Sequence, residues 1–235
     1  MISVSNKYKA VFFHIPKTGG IYTEFILSEH YDFDMPSVSC RGECNKPIEV
    51  NNMPINSDLI TNLERDFPEW KSYYKFTFIR NPYDRAISSY EYIMQKYNDS
   101  RIPKAIKEEN VDFKSFYCNY KKYNLSSFIN NHAFSSQYAT LVNIKMDYYA
   151  NFKNLNEEIN IILQKIGVED YNKHSYLLEE NIKLNSTIKK DITSYYDNET
   201  LKIVNELFKE DFIHLGFEQM TTVDELNAFL VKYNS

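Results

Sequence analysis

The run Phe12-Phe13-His14-Ile15-Pro16-Lys17-Thr18-Gly19-Gly20 decides how the chain is read. An apolar stretch, Val11 to Ile15, opens into a short loop of lysine, threonine and two adjacent glycines. Residues 21–30 then carry Ile21, Phe25 and Ile26 at helical spacing. Strand, small-residue loop and helix together present backbone N–H groups and a helix N-terminus to an anion. Pro16 keeps its predecessor extended and sharpens the exit from the strand. Gly19 and Gly20 let the backbone approach a ligand closely, Lys17 brings a movable positive charge, and Thr18 brings a hydroxyl donor. The order is not that of a Walker A loop, in which the lysine follows the glycines, so kinase or ATPase chemistry loses support. On these five residues alone, a phosphate loop and a plain surface turn fit equally well.

Residues 8–15 are nearly all apolar or aromatic, the pattern of a strand buried on both faces of a parallel sheet. A second strand, residues 73–79, ends in Arg80-Asn81-Pro82. Asn81 suits an N-cap and Pro82 a first helical position; Ala86, Ile87, Tyr90, Ile93 and Met94 give the following helix an apolar face. Arg80 therefore sits where open α/β sheets place ligand groups, as a planar fork suited to phosphate. Ser88, two turns on, adds a hydroxyl. Arg85 could bind phosphate in the same way, but the favoured expectation places it on the helix surface, paired with Asp84 or Glu91.

Further along, residues 32–56 read as a long irregular connection and 58–66 as a helix ended by Pro68. Residues 98–124 are charged and tyrosine-rich, and together with 32–56 are expected to shape an acceptor pocket. A helical turn leads to His132. Leu155 to Ile166 form an amphipathic helix closed by Gly167. Leu201 to Phe212 read as one helix stopping near Gly216, and Thr222 to Glu225 as a capping box opening the last helix.

At 235 residues the chain is expected to be one domain, 1–235. A net charge of −5 argues against general nucleic-acid binding, so an anion site must be a local basic pocket. Absence of an apolar run of about 18 residues, and of a leader pattern, leads to the expectation of a cytoplasmic protein without membrane insertion. Cys40, Cys44 and Cys118 read as ordinary thiols, and no metal site is expected.

The two strand-to-helix stretches in combination resemble the PAPS-dependent sulfotransferases, especially the carbohydrate and membrane-type branch related to heparan sulfate 2-O-sulfotransferase-like proteins. PAPS is 3′-phosphoadenosine-5′-phosphosulfate. The resemblance implies an α/β, P-loop-like three-layer domain with a central, mainly parallel sheet flanked by helices. It implies that Lys17, Thr18, Gly19, Gly20, Ile21 and Tyr22 hold the 5′ end of PAPS, and that Arg80 and Ser88 hold the 3′-phosphate. Asn185, Ser186 and Lys189 are carried over as further nucleotide contacts. The family usually has Thr-Ser where this chain has Ile21-Tyr22, a loss that Thr23 and backbone amides are placed to compensate. The reaction implied moves the sulfuryl group to a hydroxyl of a saccharide, a tyrosine peptide or a small molecule, leaving 3′,5′-ADP; a catalytically silent nucleotide-binding protein is the alternative. Lys17 would neutralise the leaving oxygen. The general base is sought among His132, His14 and Glu43, in that order.

Overall fold

In the computed structural model, residues 2–34, 57–95, 111–123, 129–141, 144–175 and 191–234 are described, with isolated positions between 102 and 109. Cys40, Glu43, Cys44, Asn185, Ser186 and Lys189 lie outside the described residues, as does most of the 32–56 connection. The chain divides into two compact units, each built from two separate stretches: Met1–Ile79 with Leu141–Ser186, and Arg80–Thr140 with Thr187–Ser235.

The first unit is α/β. Its four-stranded sheet runs in the order β1 (Ile2–Ser5), β2 (Ala10–Phe13), β3 (Tyr74–Ile79), β4 (Tyr148–Asn151). Strands β2, β3 and β4 are parallel, with Phe12 opposite Phe76 and Phe76 opposite Tyr148. Strand β1 is antiparallel to β2, with Ile2 opposite Phe13. The sheet is thus mainly parallel, as expected. All four residues of β2 are fully buried, as befits a strand covered on both faces. The expected strand over 8–15 is shorter at its start. Lys9 takes a positive φ of 50° and closes the tight return from β1, leaving Tyr8 in the turn.

Helix α1 (Gly20–His30) follows β2, and α2 (Ser57–Asp66) precedes β3. Ile26 and Leu27 of α1 join Phe12, Phe76 and Phe78 in the core of this unit. Ile21 and Phe25, expected on the apolar face, are instead 42% and 36% exposed. Tyr22, Thr23, Ile26 and Leu27 form the buried face; a spacing of four puts Ile21 and Phe25 on a stripe one residue away from it.

The second unit is helical. Helix α3 (Pro82–Gln95) is joined by α4 (Phe113–Cys118), a π-helical turn over Asn130–Phe134, α5 (Gln137–Leu141), α7 (Asn198–Leu207), α8 (Lys209–His214) and α9 (Val223–Asn234); the number α6 belongs to Leu155–Lys165 of the first unit. Asn81 caps α3 as expected, its Oδ1 accepting the Tyr83 N–H at 3.0 Å. The Thr222–Glu225 box also forms, with reciprocal bonds of 3.2 Å. The single helix expected over 201–212 is broken at Phe208, whose buried ring anchors the junction of α7 and α8.

The aromatic residues of 113–123 were expected at an acceptor pocket. Phe113, Phe116, Tyr117 and Tyr123 are instead core residues of this unit, with Phe116 stacked on Phe134, and with Tyr90 and Tyr195 meeting Phe113 edge-to-face. Their hydroxyl-bearing neighbours are satisfied inside. Tyr117 donates to the Ala86 carbonyl, Tyr195 to Glu91 Oε1, and Tyr196 to the Tyr83 carbonyl. Burial pushes the Tyr83 and Tyr90 phenols up to about 12, so they remain protonated donors.

Candidate active site

The first loop, residues 14–19, links β2 to α1. Lys17 adopts a left-handed φ of 71° and Gly19 one of 82°. Thr18 is fully buried, and its hydroxyl donates to the Ile15 carbonyl at 2.8 Å. Its proton is thus committed to tying the loop to itself. Thr23 is likewise buried and donates to the Gly19 carbonyl at 3.2 Å, so its hydroxyl does not replace those the family carries at the two preceding positions. Tyr22 is a core residue, and burial raises its phenol. What faces outward at the start of α1 is the side chain of Ile21 and the backbone.

Both glycines answer to neighbours. A Cβ on Gly19 would lie 3.0 Å from Leu155 and 3.1 Å from Phe152. A Cβ on Gly20 would fall inside the His14 imidazole, overlapping Cδ2 and Nε2. The ring lies there because Nδ1 is bonded to Glu24 Oε1 at 3.1 Å, with both side chains about nine-tenths buried. Gly20→Ala is therefore expected to expel His14 from α1 and to cost about 1–3 kcal/mol by overpacking. Chemical unfolding of the variant checks this; a loss below about 0.5 kcal/mol would show that the ring yields freely.

The second half starts where Ile79 ends β3 and the chain continues into Arg80. Arg80 Nε donates to Asp84 Oδ2 at 2.6 Å, one helical turn on, and the pair is buried. Gln137 brackets the Arg80 backbone from both sides: its Oε1 accepts the Arg80 N–H at 2.9 Å and its Nε2 donates to the Arg80 carbonyl at 2.8 Å. Gln137 is itself held by the fully buried Asp211, which also accepts from Ser136 Oγ at 2.6 Å and from the Tyr138 N–H at 2.9 Å. This Asp211–Gln137 support was not found in the sequence; its members are 74 residues apart and share no pattern. Ser88 is 2% exposed, and its hydroxyl has no hydrogen-bond partner among the described residues.

Arg85 is not on the surface. It is fully buried, donating to the Ser135 carbonyl at 2.9 Å and the Asn131 carbonyl at 3.2 Å, with its guanidinium over the Phe208 ring. Burial lowers its pKa, and Asp211 opposes that shift. Glu91, the other expected partner, is taken by Tyr195. His132 lies in the π-helical turn, 8% exposed, its ring stacked on Tyr92 at 5.2 Å. Its carbonyl accepts from Ser89 Oγ.

Both loops thus continue the carboxyl ends of adjacent parallel strands, the usual ligand end of such sheets. A model of the Sulfotransferase family matches residues 1–218, nearly the whole chain. The chain belongs to the sulfotransferase family. Two curated relatives carry the name carbohydrate sulfotransferase 11, from Mus musculus and Rattus norvegicus. Each is 23% identical over 252 aligned positions, covering 91% of this chain and 66% of the relative. The chain therefore spans just under two thirds of the length of those proteins. No solved structure matches it significantly.

The relatives overturn the cytoplasmic expectation. That expectation took the lack of a leader or spanning run as an address, but the matched part leaves about a third of each relative outside the comparison. Among the described residues no helix is long and apolar enough to cross a membrane.

Proposed function

We propose that this sulfotransferase moves the sulfuryl group of PAPS to a hydroxyl of a saccharide, through a P-loop-like α/β site on a single functional domain. The observation that carries the proposal is the pair of strand-to-helix junctions after β2 and β3, which bear the family's anion-binding residue types. Family membership supports sulfuryl transfer, and the name of the relatives favours a carbohydrate acceptor.

In this proposal the α1 N-terminus, with Lys17 and the backbone of Thr18 to Tyr22, receives the 5′-phosphosulfate. Lys17 neutralises charge on the oxygen that bridges sulfur to the departing phosphate. Arg80 and Ser88 receive the 3′-phosphate: Asp84 and Gln137 fix where the arginine stands, and the Ser88 hydroxyl, without a partner among the described residues, is ready to donate. By resemblance, Asn185, Ser186 and Lys189 add nucleotide contacts. Sulfuryl transfer resembles phosphoryl transfer, so positioning and charge stabilisation do most of the catalysis. The outward Ile21 and the buried Tyr22, standing where the family has hydroxyls, favour a second reading: a nucleotide-binding protein without turnover.

Calorimetric titration with 3′,5′-ADP tests the proposal, and saturable binding is expected. Arg80→Ala should weaken it about 10–100-fold, the worth of a charge-assisted contact of about 1.5–3 kcal/mol, while 5′-AMP affinity changes little. Equal losses for the two nucleotides would remove the 3′-phosphate role, and absence of binding would sink the proposal. With wild-type protein, PAPS and a panel of saccharides and tyrosine peptides, sulfation of saccharides alone is the expected outcome. A protein that binds 3′,5′-ADP but sulfates nothing in the panel matches the second reading.

A further inference from the structure

We propose that His14 and Glu24 form the proton-accepting pair of this site, with Nε2 of His14 as the general base and Glu24 as its positioning residue. The inference rests on the sulfuryl-transfer reading above and goes beyond it by naming the base and its support.

The geometry starts from α1. Gly20 and Glu24 are four residues apart and so share one face of the helix. The imidazole of His14, arriving from the end of β2, lies along that face: Nδ1 meets the Glu24 carboxylate at 3.1 Å. The opposite edge, Cδ2 and Nε2, occupies the space that a side chain at position 20 would fill. A carboxylate can only accept, so in the neutral ring Nδ1 carries the proton and Nε2 the lone pair. Carboxylate, imidazole and free Nε2 in line are the arrangement by which a base is held in its working tautomer.

Two features point this edge at a ligand. The side chain of His14 is 10% exposed, and Nε2 has no hydrogen-bond partner among the described residues yet is not sealed from solvent, so its lone pair stays available. It is also aimed at the first turn of α1, where unpaired N–H groups favour an anion. Gly20 is thus required for more than close backbone approach, because its missing side chain is what admits the imidazole. The other described histidines are arranged differently. His30 meets the Tyr31 ring edge-on, the ring of His132 lies flat on Tyr92, His174 is buried with Nδ1 on Tyr31 Oη and Nε2 enclosed away from any carboxylate partner, and His214 pairs with Glu210 on the surface.

In the step proposed, the acceptor O–H bond breaks and its proton passes to Nε2. The acceptor oxygen bonds to sulfur, the bond from sulfur to the bridging oxygen breaks, and the electron pair leaves with the 5′-phosphate of 3′,5′-ADP. Glu24 stabilises the imidazolium until the proton is lost to solvent.

The test uses the full chain, PAPS as donor and desulfated heparin as probe acceptor. His14→Ala is expected to lower kcat about 100-fold or more, and Glu24→Gln about 10-fold. For both, 3′,5′-ADP affinity and the KM for PAPS should stay within about threefold of wild type. Added imidazole should restore part of the kcat of His14→Ala and none of that of Glu24→Gln. Nitrogen-15 NMR of the wild-type histidines should show His14 with its proton on Nδ1, and Glu24→Gln should remove that preference. The pair is overturned if His14→Ala keeps more than a third of the wild-type kcat, if kcat and 3′,5′-ADP affinity fall together, or if the proton is found on Nε2. A wild-type protein that does not bind 3′,5′-ADP would instead overturn the transferase reading itself.

Discussion

Lys17→Ala is expected to lower turnover of PAPS by about 10²–10³-fold while 3′,5′-ADP binding falls by less than about tenfold. Removing one preorganised group that meets developing charge costs about that much in rate. The desulfated product lacks the bridging oxygen in its reacting state, so the same group contributes less to binding it. The backbone supports this assignment. Lys17 is one of three non-glycine residues with positive φ among the described residues, at 71°. An L-residue held there costs of order 1–3 kcal/mol, a strain found mostly at functional sites. Lys17→Gly adopts the same φ without steric penalty, so it should be as inactive as Lys17→Ala and at least as stable. Steady-state kinetics, calorimetry and thermal unfolding of the two variants decide the matter. Turnover within threefold of wild type would remove the leaving-group role, and a marked loss of stability in Lys17→Gly would show that no strain is stored.

Arg85→Ala should lower unfolding free energy by about 3–5 kcal/mol, the range for removing one member of a buried charged cluster. The guanidinium is fully buried and bonds two carbonyls, those of Ser135 and Asn131. The same stretch carries Ser136 and Gln137, and Gln137 brackets Arg80. Truncation therefore leaves two carbonyls without their donor, removes a positive charge near the buried Asp211 and loosens the segment that positions Arg80. Urea unfolding gives the stability, and 3′,5′-ADP titration should show weaker binding even though Arg85 lies inside the helical core. A loss below about 1 kcal/mol would mean that water replaces the guanidinium at little cost. Arg85→Lys is not a rescue, because an ammonium cannot span two carbonyls as a planar fork does.

Arg80 and Arg85 show how far the sequence could be read. Both follow the second strand within six residues, and both carry the same side chain. The place of Arg80 was legible because it follows a strand end, just before an Asn-Pro helix start. For Arg85 the sequence offers local partners in Asp84 and Glu91, which point to the surface. In the structure Asp84 pairs with Arg80 and Glu91 with Tyr195, while the partners of Arg85 come from a turn about fifty residues away. His14 divides in the same way. Its place beside the loop was visible, but its contact with Glu24 depends on the exit angle of β2 and the absence of a side chain at Gly20.

What the sequence determined alone was therefore local and periodic. The β2 and β3 strands, the loops after them, the Asn81 and Thr222 caps and the Gly167 helix stop all follow from short-range backbone and burial preferences. Tertiary structure decided the rest. It placed β4, of which only Ala150 is buried, because pairing with β3 supplies what its composition lacks. It moved the aromatics of 113–123 into the core, since an aromatic face is apolar wherever it is and only its neighbours make it core or binding surface. It also decided which polar groups are satisfied, Arg85 by distant carbonyls and Arg80 by Gln137, because hydrogen-bond partners are set by the three-dimensional path of the chain.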